Sequence, residues 1–213
     1  MTNKTILAVL FALISFSVKA QQPESGRTDK LYTMSGLGFT FPIGETADYL
    51  GPKFSTTIGL NIGLGEGGLF LYPEVSLHAY SFNGQVIDPG YNYTVQDGRS
   101  TTYLLNLALG YRKMVDKFAF YGFAGGGGGF ILSPRATVNT ASSTINMESK
   151  TNWNGIAEAG AGMEYNIGGA NLFIQAAYMR GFSKFEGKVF QSVPVTVGIK
   201  PNLSKLLNKL SGK

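Results

Sequence analysis

The sequence has no cysteine, one histidine, one tryptophan and few charged residues, 15% of 213. Without cysteine there is no disulfide scaffold, no thiolate metal site and no lipidated cysteine anchor. One histidine, His78, excludes a multi-histidine metal centre. No run of 18 apolar residues follows the first 20 positions, so no later helix is expected to span a bilayer. What is abundant is glycine, 29 residues, and aromatics, 13%, mostly Phe and Tyr. A glycine-rich, aromatic-rich chain with few charges and near-neutral mean hydropathy points to many short strands.

Residues 1–20, MTNKTILAVLFALISFSVKA, carry a basic start at Lys4 and an apolar stretch from Ile6 to Phe16. Small or modest residues precede a cut between Ala20 and Gln21. This is the pattern of a cleaved secretory signal peptide, too short to remain as a membrane helix. Residues 21–30 read as a polar N-terminal periplasmic segment. The formal charge of +5 divides unevenly. Lys4 and Lys19 belong to the leader, and Lys200, Lys205, Lys209 and Lys213 to the last 14 residues. Between them, residues 21–199 hold 12 basic and 13 acidic side chains. The basic balance is therefore a property of the tail, and no nucleic-acid partner is implied.

Residues 31–200 alternate with period two. In Phe54–Leu64 one face is Phe54, Thr56, Ile58, Leu60, Ile62 and Leu64. The other is Ser55, Thr57, Gly59, Asn61 and Gly63. A helix would mix these sets and a strand separates them. Thr102–Lys113, Trp153–Tyr165 and Ser192–Lys200 repeat the pattern. Tyr32–Phe41, Leu69–Ser81, Phe118–Leu132 and Leu172–Arg180 complete eight expected strands. In Phe118–Leu132 the run Gly125–Gly129 leaves the faces open and suggests a bent strand. Expected connections alternate between long loops, 42–53, 82–99, 133–151 and 181–189, and short turns at 65–68, 114–117 and 167–171. Aromatics mark strand ends, as Tyr103 and Tyr111 or Trp153 and Tyr165 do. This is the pattern of an all-β, eight-stranded antiparallel transmembrane up-and-down barrel with its ends on the short-turn side.

The leader ending VKA-QQ, the first strand with Gly36-x-Gly38-x-Thr40 and the final strand VPVTVGIK at 193–200 resemble a known family. It is the small eight-stranded, porin-like outer-membrane β-barrel family of Bacteroidetes-type Gram-negative bacteria. The resemblance spans 31–200 and implies insertion into the cell outer membrane, with membrane lipid as a partner. It implies no single biochemical activity. Where such barrels often end on an aromatic residue, this chain continues into Pro201.

A barrel of eight strands has a lumen just filled by side chains. Face parity sends Glu74, His78, Asn106, Arg112, Glu158, Glu164, Gln175 and Lys200 into it. Charges there should pair, and we expect Arg112 and Lys200 to meet Glu164 and Glu158 near the periplasmic end. Ser76, His78 and Glu74 carry the groups of a nucleophile, base and orienter. Their spacing along one strand, about 7 Å per step of two, argues against contact and against catalysis. No cofactor or metal is implied. The tail, 201–213, places Leu203, Leu206, Leu207 and Leu210 on one stripe of a short basic amphipathic helix. It would lie on lipid, plug the barrel or dock a partner. The expected function is a non-enzymatic envelope protein acting through its long extracellular loops. The alternatives are a narrow channel for ions or small solutes, and an accessory subunit docked through the tail.

Overall fold

The computed structural model describes residues 31–88 and 91–204, with backbone alone for 84–88 and 91–97. The leader, the 21–30 segment and the tail beyond Ser204 lie outside the described residues, and with them Leu206, Leu207 and Leu210.

Eight strands follow one another around a closed antiparallel barrel. They are β1 (Leu31–Pro42), β2 (Leu50–Gly63), β3 (Leu69–Asp88) and β4 (Tyr91–Val115). Then come β5 (Phe118–Asn139), β6 (Thr144–Asn166), β7 (Ala170–Phe185) and β8 (Lys188–Pro201). β8 closes on β1 from Ser35 opposite Ile199 to Pro42 opposite Ser192. Closure removes every sheet edge along the barrel wall, and the ladders shift register between Pro52 and Ser55, Phe82 and Gly84, and Arg180 and Lys184 among the described residues.

One end has tight turns, and Asp116, at φ 52°, begins the two-residue connection between β4 and β5. The other end departs from the expected long loops. Pairing of β3 with β4 continues to Asp88 opposite Tyr91, and that of β5 with β6 to Asn139 opposite Thr144. Segments 82–99 and 133–151 are thus mostly ribbons standing above the barrel. Their polar composition suggested loops, but two strands that pair with each other satisfy their own backbone groups. The 181–189 connection shrinks to Glu186–Gly187, at φ 49° and 80°, which suits a twisted two-residue hairpin. In 42–53 a 3-10 turn covers Gly44–Asp48 before β2 begins.

The two faces divide as period two requires. Outside, Leu105, Leu107 and Leu109 are each more than half exposed, as is Ile58. Tyr103 stacks on Phe130 at 5.1 Å, and Trp153 meets Phe130 edge to face at 5.3 Å, at one end of this apolar face. Phe118 and Tyr165, 5.0 Å apart, mark the other end. The two belts are twelve residues apart along β5 and β6, about 40 Å of strand and about 30 Å of height after tilt. That matches the hydrocarbon thickness of a bilayer.

The five-glycine run resolves into strand. Gly125, Gly127 and Gly129 face inward, and an added Cβ on them would collide with the backbone oxygens of Leu107, Leu105 and Tyr103. Gly126 and Gly128 face outward beside Ala157 and Gly155 of β6. With no side chains to read, the sequence pattern could not assign these faces.

Candidate functional site

Among the described residues the lumen gathers the buried polar side chains, and it is layered. At the short-turn end the groups come from alternate strands. Glu164 of β6 is 1% exposed and lies 2.8 Å from Lys200 of β8 and 3.3 Å from Arg112 of β4. Arg112 also donates to Asn61 Oδ1 of β2, and Asn171 Nδ2 donates to the second Glu164 oxygen at 2.8 Å. Aromatic rings complete the shell. Lys200 Nζ sits 4.2 Å from the Tyr121 ring and 4.8 Å from Phe173, and the Arg112 guanidinium 5.1 Å from Phe70. A buried ammonium is tolerable only with such a counter-charge and π faces around it.

Glu158 does not join this cluster, contrary to expectation. It precedes Glu164 by six residues, about 20 Å along the strand. It accepts from Asn106 Nδ2 at 2.8 Å instead. Glu74 accepts from Thr57 Oγ1 at 3.1 Å. Gln175 connects the two layers: it donates to Tyr72 at 3.3 Å and accepts from Tyr121 at 3.0 Å.

Next comes His78, 3% exposed. Its Nδ1 lies 2.8 Å from Thr40 Oγ1 and its Nε2 3.0 Å from Ser76 Oγ. The Ser76 contact corrects the expected separation. Backbone positions two apart are about 7 Å distant, but side chains lean along the strand and the imidazole spans the gap. The third member of a triad is not in place, because Thr40 rather than Glu74 holds the other ring nitrogen. Among the described residues no group of three or more His, Asp or Glu side chains converges on a metal position.

Towards the hairpin end the lumen turns apolar. Tyr49, Leu50, Tyr80, Phe82, Leu104, Ile131, Ile156, Met179, Phe185 and Phe190 pack into one buried cluster. Tyr80 meets Phe190 edge to face at 6.0 Å, and Tyr49 meets Phe185 at 5.5 Å. Tyr49 precedes β2 and Phe185 ends β7, both inside segments expected as loops, 42–53 and 181–189, so sequence reading did not single them out. At the opposite mouth, Asn202 bridges to Tyr32 and its Nδ2 donates to that ring's hydroxyl at 3.2 Å. The Leu31 amide donates to Ser204 Oγ at 3.0 Å. Leu203, the first residue of the expected apolar stripe, is half-buried there.

No family model matches the chain, and no curated protein matches it. Solved structures do resemble it. Neisserial surface protein A is 12% identical with a TM-score of 0.56, over 81% of this chain and 96% of that one. The attachment invasion locus protein Ail of Yersinia pestis is 13% identical with a TM-score of 0.44, over 81% and 99%. The N-terminal β-barrel domain of Pseudomonas aeruginosa OprF is 13% identical with a TM-score of 0.39, over 81% and 98%. At such identities the likeness concerns architecture alone, and the fold is that of an eight-stranded antiparallel barrel like Neisserial surface protein A.

Proposed function

We propose that the chain is a non-enzymatic integral protein of a Gram-negative outer membrane, exported by its leader and belonging to the Bacteroidetes-type small barrels. It acts as a closed anchor that holds stiff hairpins at the cell surface, for envelope integrity or external contacts. The observation that carries this reading is the placement of large apolar side chains outside and charges inside. In water that arrangement is unfavourable, and in a bilayer it is the stable one. Eight strands put both ends of the barrel at the periplasmic side, so the β3–β4 and β5–β6 ribbons face outward.

The lumen supports a role without transport. Its polar layers are hydrogen-bonded across the barrel, and the apolar cluster lies between them and the surface. His78 and Ser76 are buried under that cluster, away from any lipid substrate, which supports the reading without catalysis. The β5–β6 ribbon is the natural contact element. Beyond Leu132 its β5 edge has left β4, and before Ile156 its β6 edge has not met β7. Its exposed Ile145 and Met147 add apolar contact area.

The test is a variant in which 134–149 is replaced by a two-residue turn, expressed in a strain lacking the protein. We expect a barrel that folds and inserts but fails to restore the envelope or surface phenotype of that strain. Full restoration by the trimmed barrel would contradict the ribbon's role.

A further inference from the structure

Around the hairpin end, Lys53, Arg99, Arg135, Arg180 and Lys184 have no hydrogen bond, ion pair or ring contact among the described residues. Two of them share the outer face of β7. That face runs Leu172, Ile174, Ala176, Tyr178, Arg180, Phe182 and Lys184. Tyr178 is 40% exposed and Phe182 74%. Phe182 lies over the bare backbone of Gly155 on β6, where an added Cβ would be 3.1 Å from the ring. Arg180 stands between these two aromatics, where the apolar run of β7 ends. Opposite it on β8 is Gln191, just above Val193.

No acid among the described residues lies within ion-pair distance of Arg180 or Lys184, Glu45 and Glu148 included. Glu186 pairs with Lys150 at 3.8 Å and Asp48 with Lys188 at 2.6 Å. A guanidinium and an ammonium at the edge of hydrocarbon, with no protein counter-charge, take one from their surroundings. At a bilayer margin the abundant anion is the phosphate of a lipid headgroup. A guanidinium matches its oxygens two at a time, and lysine adds a point charge. The flanking aromatics prefer this depth, with their rings against the upper part of the acyl chains.

We propose that Arg180 and Lys184 bind the phosphate of an anionic lipid headgroup in the leaflet at the hairpin end, with Tyr178 and Phe182 packed against its chains. This rests on the membrane reading above. Trp153 makes both testable. It is the only tryptophan, 72% exposed, and two residues from Gly155 on the same outer face of β6. The full mature chain is reconstituted in phosphatidylcholine vesicles containing a small fraction of dibrominated lipid, either phosphatidylcholine or phosphatidylglycerol. Bromine quenches Trp153 on contact.

Both lipids should quench, and brominated phosphatidylglycerol should show a preference of roughly fivefold or more, as expected for basic residues at an anionic surface. The double variant Arg180→Gln/Lys184→Gln should lower the preference to about one. Lys113→Gln, on the outer face at the opposite end, should leave it intact. Equal quenching by the two lipids in the unmodified protein overturns the site while leaving the membrane reading standing. So does a preference that survives the double variant or is lost equally in Lys113→Gln. Absence of quenching by either lipid overturns the membrane reading and the site with it.

Discussion

Glu164→Gln is the sharpest perturbation of the lumen, because one carboxylate there neutralises two cations. Glutamine keeps the volume and leaves an acceptor, so packing is preserved and charge is the main loss. Lys200, also 1% exposed, would then stand buried beside a neutral amide, together with the Arg112 guanidinium that shared its counter-charge. Breaking a buried pair on one side costs about 3–5 kcal/mol, because the remaining charge is left uncompensated. Arg112 is 11% exposed and retains Asn61, so the lower part of that range applies, about 3 kcal/mol. With a urea slope of about 2 kcal/mol/M, the unfolding midpoint in detergent micelles should fall by about 1.5 M. Folded and unfolded barrel are separable by unheated gel electrophoresis, which gives the fractions directly. Lys200→Met should also destabilise, and Glu164→Gln/Lys200→Met should lose less than the sum of the single losses by at least about 1 kcal/mol. A midpoint shift below about 0.5 M for Glu164→Gln, or strict additivity in the cycle, would refute the pairing as the source of lumen stability.

Three further outcomes follow from the packing. Phe190→Ala, at a fully buried position of the apolar cluster, should cost about 3–5 kcal/mol by urea titration, whereas Phe182→Ala on the outer face should cost well under half of that. Gly127→Ala should fail to refold into micelles in good yield, since its Cβ would meet the Leu105 carbonyl, while Gly122→Ala, whose nearest neighbour would be 3.7 Å away, should refold normally. His78→Ala should lose about 1–3 kcal/mol by leaving Thr40 and Ser76 with one fewer partner. It should leave the lipid composition of the membrane unchanged by mass spectrometry, and an altered composition would speak for catalysis at Ser76 and His78.

The strand faces were legible because period two is a local property. Glu74, Ser76 and His78 share parity with Phe70 and Tyr72, and all five side chains lie inside. The meeting of Arg112 and Lys200 with Glu164 was legible from parity and position along the strands, but the exclusion of Glu158 was not, because that depends on register across strands remote in sequence. Glu164, Arg112 and Lys200 converge only because β4, β6 and β8 are staggered in the closed barrel. Glu158 shares the parity of Glu164 but sits too far along β6 to reach the same cations. The apolar cluster was missed for a related reason: Tyr49, just before β2, and Phe185, at the end of β7, lie in segments expected as loops and read without a periodic signal. Extension of β3 to β6 beyond the membrane band was hidden by polar composition, although the turn signal that starts at Asp88 coincides with the end of β3.

The central claim is that the barrel is embedded and its lumen shut. Single-channel recording of the purified, refolded protein in a planar bilayer tests it most directly. A lumen filled by the Glu164–Lys200–Arg112 cluster and topped by Tyr80, Phe185 and Phe190 predicts insertion with no current steps above the bare bilayer in molar potassium chloride. Reproducible stepwise openings of the unmodified protein would contradict it.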